Sequence, residues 1–154
     1  AMTGARIYKV RNYLNNEPFM LTYGDGLSDI NLDLLLAFHR SMNLAVTVTG
    51  VRPPARFGEL QVGSDGTATG FNEKPQASAG MISGGFFVCE PTVFTHMNSR
   101  EDLVFEQAPM QSLVGEKLLA VYQHDGFWQC MDTFRDWQLL NSMIDQEKAP
   151  WKVW

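Results

Sequence analysis

Two aspartates stand where a ligand could be handled. Asp25 lies in Tyr23-Gly24-Asp25-Gly26, just past the apolar run Pro18–Tyr23, and Asp132 closes the run Phe127-Trp128-Gln129-Cys130-Met131. Open α/β sheets bind ligands just outside the carboxyl ends of their strands. Glycines on either side let a phosphate or a metal come close to the backbone. Two such carboxylates could share one magnesium ion, which takes few protein oxygens and keeps positions for water and phosphate. Gly-Asp-Gly is also an ordinary turn, and Asp132 or Thr133 also suits the N-cap of a following helix.

Glu73-Lys74-Pro75 adds a lysine held by the next proline. It can act as a point charge for phosphate or be a solvated surface pair. Pro53-Pro54-Ala55-Arg56-Phe57-Gly58 and Ile82-Ser83-Gly84-Gly85-Phe86-Phe87 join glycine to aromatics. That mixture suits a sugar ring on an apolar floor, and equally a plain core. No Ser/His/Asp or Cys/His arrangement stands out, and His39, His96 and His124 read as structural or exposed.

The elements that must position these residues follow from periodicity. Ile7, Val10 and Leu14 predict a short helix over 3–14, and Pro18–Tyr23 a buried strand running into a tight loop. Asn31 or Asp29 caps a helix reaching Met42, with Leu34, Leu35 and Phe38 inward, before the strand Leu44–Thr49. Strand, helix, strand suggests a right-handed parallel crossover in an α/β sheet. Runs 57–62 and 67–72 flank Gly63-Ser64-Asp65-Gly66 as a hairpin, and Gly84–Cys89 reads as another strand. Pro91 opens a short helix, 105–114 is helical with Pro109 in its first turn, and 118–122 is extended. Thr133 caps a last helix whose Phe134, Trp137, Leu140 and Ile144 form one stripe, and the tail Pro150–Trp154 packs its tryptophans.

Composition sets outer limits. The 154 residues are 45 % hydrophobic and 19 % charged, enough for one globular domain spanning 1–154. A net charge of −5 without basic blocks argues against nucleic acid or an anionic membrane as partner. No apolar run approaches the roughly 18 residues of a membrane span, and Ala1–Tyr13 has no signal-peptide core. Cys89 and Cys130, far apart and outside any metal-ligand spacing, read as reduced thiols of a cytoplasmic protein.

In order, the segments YGDG, PPARFG, FNEKP, ISGGFFV, FWQCMDT and APWK resemble the glucose-1-phosphate cytidylyltransferases, a branch of the sugar nucleotidyltransferases. Each segment is modest alone; six in order, from Met2 to Trp151, are specific. The resemblance implies a Rossmann-like α/β fold and magnesium-dependent transfer from CTP to glucose 1-phosphate, giving CDP-glucose and pyrophosphate. It implies Asp25 and Asp132 as magnesium ligands, and Arg6 and Lys74 as further catalytic groups. Thr3 and Gly4 match the segment approaching the base, and Gly24 lies beside the ribose. Glu73 and Lys74 grip the sugar and its phosphate, with Gly58, Ser83 and Gly84 lining the sugar site. Ala5 stands where these enzymes carry a second glycine.

These enzymes open with a glycine-rich phosphate loop that nothing in this sequence matches. The likeness therefore implies the carboxy-terminal part alone: an incomplete Rossmann-like fold, its mixed, mainly parallel sheet flanked by helices, with a small β-hairpin region. Without the loop, the chain is expected to be inactive by itself, and to self-associate into a homo-oligomer that covers the open edge of strand 19–23. The alternative is a non-enzymatic sugar-phosphate- or nucleotide-binding module, or an oligomerisation module.

Overall fold

A computed structural model describes residues 1–53, 55, 58–73 and 80–154. Lys74, Arg56 and Phe57 lie outside the described residues. In chain order the elements begin with α1 (Thr3–Val10), β1 (Phe19–Thr22), β2 (Gly26–Ser28), α2 (Leu32–Met42) and β3 (Val46–Val51). Next come β4 (Glu59–Val62), β5 (Ala68–Asn72), β6 (Ile82–Cys89), α3 (Ala108–Gly115), β7 (Leu119–His124), β8 (Trp128–Cys130) and α4 (Phe134–Asp145). Short 3₁₀ turns cover Arg11–Tyr13 and Pro91–His96. The chain forms two compact units, one of Ala1–Gly24, Asn31–Thr49 and Gly85–Gln123, the other of Asp25–Ile30, Gly50–Gly84 and His124–Trp154.

The first unit is built on a sheet with strand order β1-β6-β3-β7. β1 pairs antiparallel with β6, from Phe19↔Cys89 to Thr22↔Phe86. Glu90 N–H donates to Ala45 O at 2.8 Å, so β6 ends where β3 begins; Val46 N–H donates to Leu118 O at 3.1 Å, so β3 and β7 start together. β1, β3 and β7 thus share a direction and β6 opposes them, a mixed sheet flanked by helices. The strands expected to form a crossover run the same way, with β6 between them.

Apolar side chains from α1, β3, β6, α3 and the segment leading into α3 close the core: Ile7, Val46, Val48, Phe87, Phe105 and Leu113. Phe87 and Phe105 meet edge to face, centroids 5.5 Å apart. Burying a phenylalanine contributes about 1.5–3 kcal/mol. Asn31 caps α2 through Leu34 N–H at 3.0 Å, and Asn43 ends it in the left-handed region. Of the expected inward residues Leu35 is buried and Phe38 is half-buried against the Tyr122 ring; His39 joins them, and Leu34 is 56 % exposed. His39 is tolerated inside because both ring nitrogens are partnered, Nδ1 with Thr47 Oγ1 (2.8 Å) and Nε2 with Glu90 Oε1 (3.0 Å).

The second unit has little interior. β4 and β5 form the expected hairpin, Glu59↔Asn72 to Val62↔Ala68, with a bulge at Gln61/Val62 and Gly66 at φ +85° in the turn. Bonds from the Thr67 hydroxyl and N–H hold the Asp65 carboxyl below the usual carboxylate range. Thr133 caps α4 as expected, yet of its stripe only Leu140 is buried; Phe134 is 71 % exposed and stacks on Trp137. Trp151 stacks on Phe127 with centroids 5.4 Å apart, whereas Trp154 is exposed. Periodicity sets which residues share a face, but only packing decides whether that face is covered.

Candidate active site

The second unit brings the two sequence-selected aspartates to one place. β2 and β8 pair antiparallel, with Gly26 opposite Cys130 and Ser28 opposite Trp128. Met131 N–H donates to Asp25 O at 2.8 Å, carrying the ladder one step further. Asp25 therefore faces Met131, and Asp132 is the next residue along. Both are exposed, on adjoining strand ends at a single rim. β2 escaped the sequence reading because three residues carry no periodicity.

What fixes Asp132 is the start of α4. The Asp136 carboxylate accepts from Thr133 N–H (3.0 Å), Asp132 N–H (3.2 Å) and Gln129 Nε2 (3.3 Å). Thr133 Oγ1 returns the favour to Asp136 N–H at 3.2 Å, completing a capping box. Asp136 was missed in the sequence, though the spacing Thr133-x-x-Asp136 is the local signal for it. At the other end of β2, His124 Nε2 donates to Asp29 Oδ1 (2.8 Å) and Phe127 O (3.2 Å). Two acceptors on one nitrogen require its proton there.

Gly84 joins this ribbon. Trp128 Nε1 donates to Gly84 O at 2.9 Å, and a Cβ built on Gly26 would lie 3.6 Å from that indole nitrogen. Ser83, beside it, is exposed. Gly58 and Glu73 meet separately on the hairpin: a Cβ on Gly58 would lie 3.5 Å from Glu73 Oε2 and 2.8 Å from the Phe71 ring.

Thr3, Gly4, Arg6 and Gly24 belong to the first unit. Gly4 is buried, and a Cβ there would come 2.8 Å from Leu103 Cγ, so packing against Leu103 favours glycine at this position. Ala5 is buried too, its N–H bonded to Leu103 O at 3.1 Å, so its methyl fills core. Arg6 Nε donates to Ala1 O at 2.8 Å, and Gly24 is open, with no atom within 4 Å of a built Cβ. Glu106, absent from any motif, accepts from both Thr3 and Tyr23. A cavity of about 470 Å³ around His96, Ser112 and Glu116 contains none of the sequence-selected residues.

The two exposed carboxylates, on adjoining strand ends, are hard-oxygen donors of the kind magnesium takes, one or two at a time, beside phosphate and water. Among the described residues no cluster of three or more His, Cys, Asp or Glu side chains converges, and no helix is long and apolar enough to cross a membrane.

A nucleotidyl transferase family model matches residues 3–142. The chain is 42 % identical to a probable glucose-1-phosphate cytidylyltransferase of Bacillus subtilis (strain 168), covering 99 % of this chain and 59 % of that protein. It is 39 % identical to a glucose-1-phosphate cytidylyltransferase of Salmonella typhimurium, covering 100 % of this chain and 60 % of the relative. The chain thus spans about three fifths of the length of the curated relatives it matches. Among solved structures it resembles HddC from Yersinia pseudotuberculosis (TM-score 0.64, 15 % identity, 93 % of this chain and 62 % of that one). A putative glucose-1-phosphate thymidylyltransferase from Bacillus anthracis is similar too (TM-score 0.64, 13 % identity, 91 % and 59 %). At such identities these structures speak for the fold. Sequence likeness across the whole chain decides the rest: it belongs to the nucleotidyl transferase family.

Proposed function

We propose that this chain carries the metal- and sugar-phosphate-binding share of a glucose-1-phosphate cytidylyltransferase. The observation that supports this most is the β2–β8 ladder, which puts Asp25 and Asp132 on one rim. In the reaction, a phosphate oxygen of glucose 1-phosphate forms a bond to the α-phosphorus of CTP. The bond from that phosphorus to the bridging oxygen breaks, and pyrophosphate leaves, giving CDP-glucose.

Such a transfer uses no covalent protein group and depends on positioning and on neutralising charge. Asp25 and Asp132 would hold magnesium, which when bound neutralises charge on the phosphate oxygens. Lys74 supplies a point charge to the sugar phosphate, and Arg6 a second cation. Glu73 accepts from sugar hydroxyls, with Gly58, Ser83 and Gly84 forming the wall of the sugar site. Thr3, Gly4 and Gly24 serve the nucleoside.

Calorimetric titration of the chain with glucose 1-phosphate and with CTP, each with and without magnesium, tests the assignment. Magnesium-dependent binding that disappears in Asp25→Asn and in Asp132→Asn is expected. Binding of both ligands that ignores magnesium and both substitutions would sink it. Pyrophosphate release from the same mixture reports how much of the reaction these residues complete.

A second reading concerns assembly. β1 ends the sheet order, and its Met20 is 45 % exposed. An open edge with apolar side chains favours pairing with another chain, so we also propose a homo-oligomer. A stable monomer in gel filtration at micromolar concentration contradicts it.

A further inference from the structure

One carboxylate of the first unit ties together two stretches that are remote in sequence. Glu106 Oε2 accepts from Thr3 Oγ1 at 2.9 Å, and Glu106 Oε1 accepts from the Tyr23 hydroxyl. Thr3 Oγ1 itself accepts from Phe105 N–H at 3.0 Å, which leaves its single proton for the carboxylate. Phe105, the residue before Glu106, is fully buried and roots the carboxylate in the core.

Tyr23 is held as firmly on its other side. Its N–H donates to Gly85 O at 3.1 Å. Gly85 has φ +77°, and a Cβ there would come 3.0 Å from Tyr23 Cδ2, so the ring rests on bare backbone. The ring also meets Phe87 edge to face at 5.6 Å. With its ring held in this way, the Tyr23 hydroxyl is presented to Glu106 Oε1.

The two tied stretches have something in common. Thr3 opens α1, in the segment assigned above to the base; Tyr23 leads directly into Gly24, assigned to the ribose. An ionised carboxylate accepting from two hydroxyls makes charge-assisted bonds, roughly twice as strong as neutral ones. Glu106 is exposed, so the core gains no apolar burial from its side chain. We propose that Glu106 is a positioning residue for the nucleotide: its carboxylate locks the first turn of α1 to the exit of β1, fixing the spacing between the base and ribose segments. The inference rests on the CTP reading above.

The test is calorimetric titration of the 154-residue chain with CTP plus magnesium and, separately, with glucose 1-phosphate plus magnesium. Glu106→Ala is expected to weaken CTP binding about tenfold, because the two nucleotide segments lose their tie, and leave glucose 1-phosphate within about twofold. Glu106→Gln keeps an acceptor and a polar partner for the hydroxyls and should recover most of the affinity. Adding Tyr23→Phe to Glu106→Ala should cost less than Tyr23→Phe costs in the wild-type background, because the shared bond is already gone. A loss shared equally by both ligands marks a purely structural role and overturns the clamp, as does an unchanged CTP affinity; either leaves the CTP reading intact. A wild-type chain that binds glucose 1-phosphate but not CTP overturns that reading, and the clamp with it. Should Glu106→Ala fail to fold, Tyr23→Phe alone carries the test: about threefold weaker CTP binding is expected, and none overturns the proposal.

Discussion

The two units divide the labour of the molecule unequally. The first holds the core cluster, from Ala5 and Ile7 through Val46 and Phe87 to Leu113. Among the described apolar residues of the second, only Val51 and Leu140 are buried. Its structure comes instead from backbone ladders and polar caps: the β2–β8 ribbon, the β4–β5 hairpin and the Thr133–Asp136 box. The contrast shows where each kind of force is useful. Apolar burial gives stability without direction, while hydrogen bonds give little net energy but fix orientation. A site that must hold two carboxylates toward water is built from the second kind.

The comparison can be broken by substitution. Phe105→Ala removes a fully buried ring and should cost about 3–5 kcal/mol in a denaturant titration, whereas Phe134→Ala, on the exposed stripe, should stay within about 0.5 kcal/mol. Similar losses at both would mean that α4 is covered in solution.

The cysteines sample the same contrast. Burial, reinforced by the neighbouring Glu90 carboxylate, pushes the Cys89 thiol up to about 12. At pH 8 its thiolate is on the order of a thousandfold scarcer than that of an ordinary thiol. Iodoacetamide should label half-buried Cys130 and spare Cys89, as read by peptide mass spectrometry. Because the folded value lies above the ordinary 9.0, folding favours the neutral thiol; that contribution is intact below pH 9 and is lost as pH rises toward 12.

Smaller effects sharpen the picture. Asp136→Ala removes the capping box and the acceptor for Asp132 N–H, and should cost about 1–2 kcal/mol in urea midpoint terms. Magnesium affinity should fall with it, since the backbone of Asp132 loses its anchor. Last come the glycines: Gly4→Ala crowds buried Leu103 and should cost ~1 kcal/mol net of the gain in helix propensity. Gly58→Ala crowds the Phe71 ring, which is 65 % exposed, and stands in ordinary contact with Glu73 Oε2 at 3.5 Å, so its melting temperature should match wild type.

Much of this was legible in the residues themselves. Asn31 and Thr133 announced their helices, and Gly63 to Gly66 announced the hairpin, because caps and turns are settled by bonds within a few residues. Ordered segments from YGDG to APWK identified the family. Tertiary structure decided what local pattern leaves open: that His39 rather than Leu34 turns inward beside Leu35, that the stripe of α4 stays bare except at Leu140, and that three-residue β2 finds β8. It alone joined Glu106 to Thr3, across 103 positions, and Asp25 to the strand end beside Asp132. Chain sequence specifies short-range bonds directly; the meeting of remote segments depends on the free energy of the whole packed core, which no single stretch encodes.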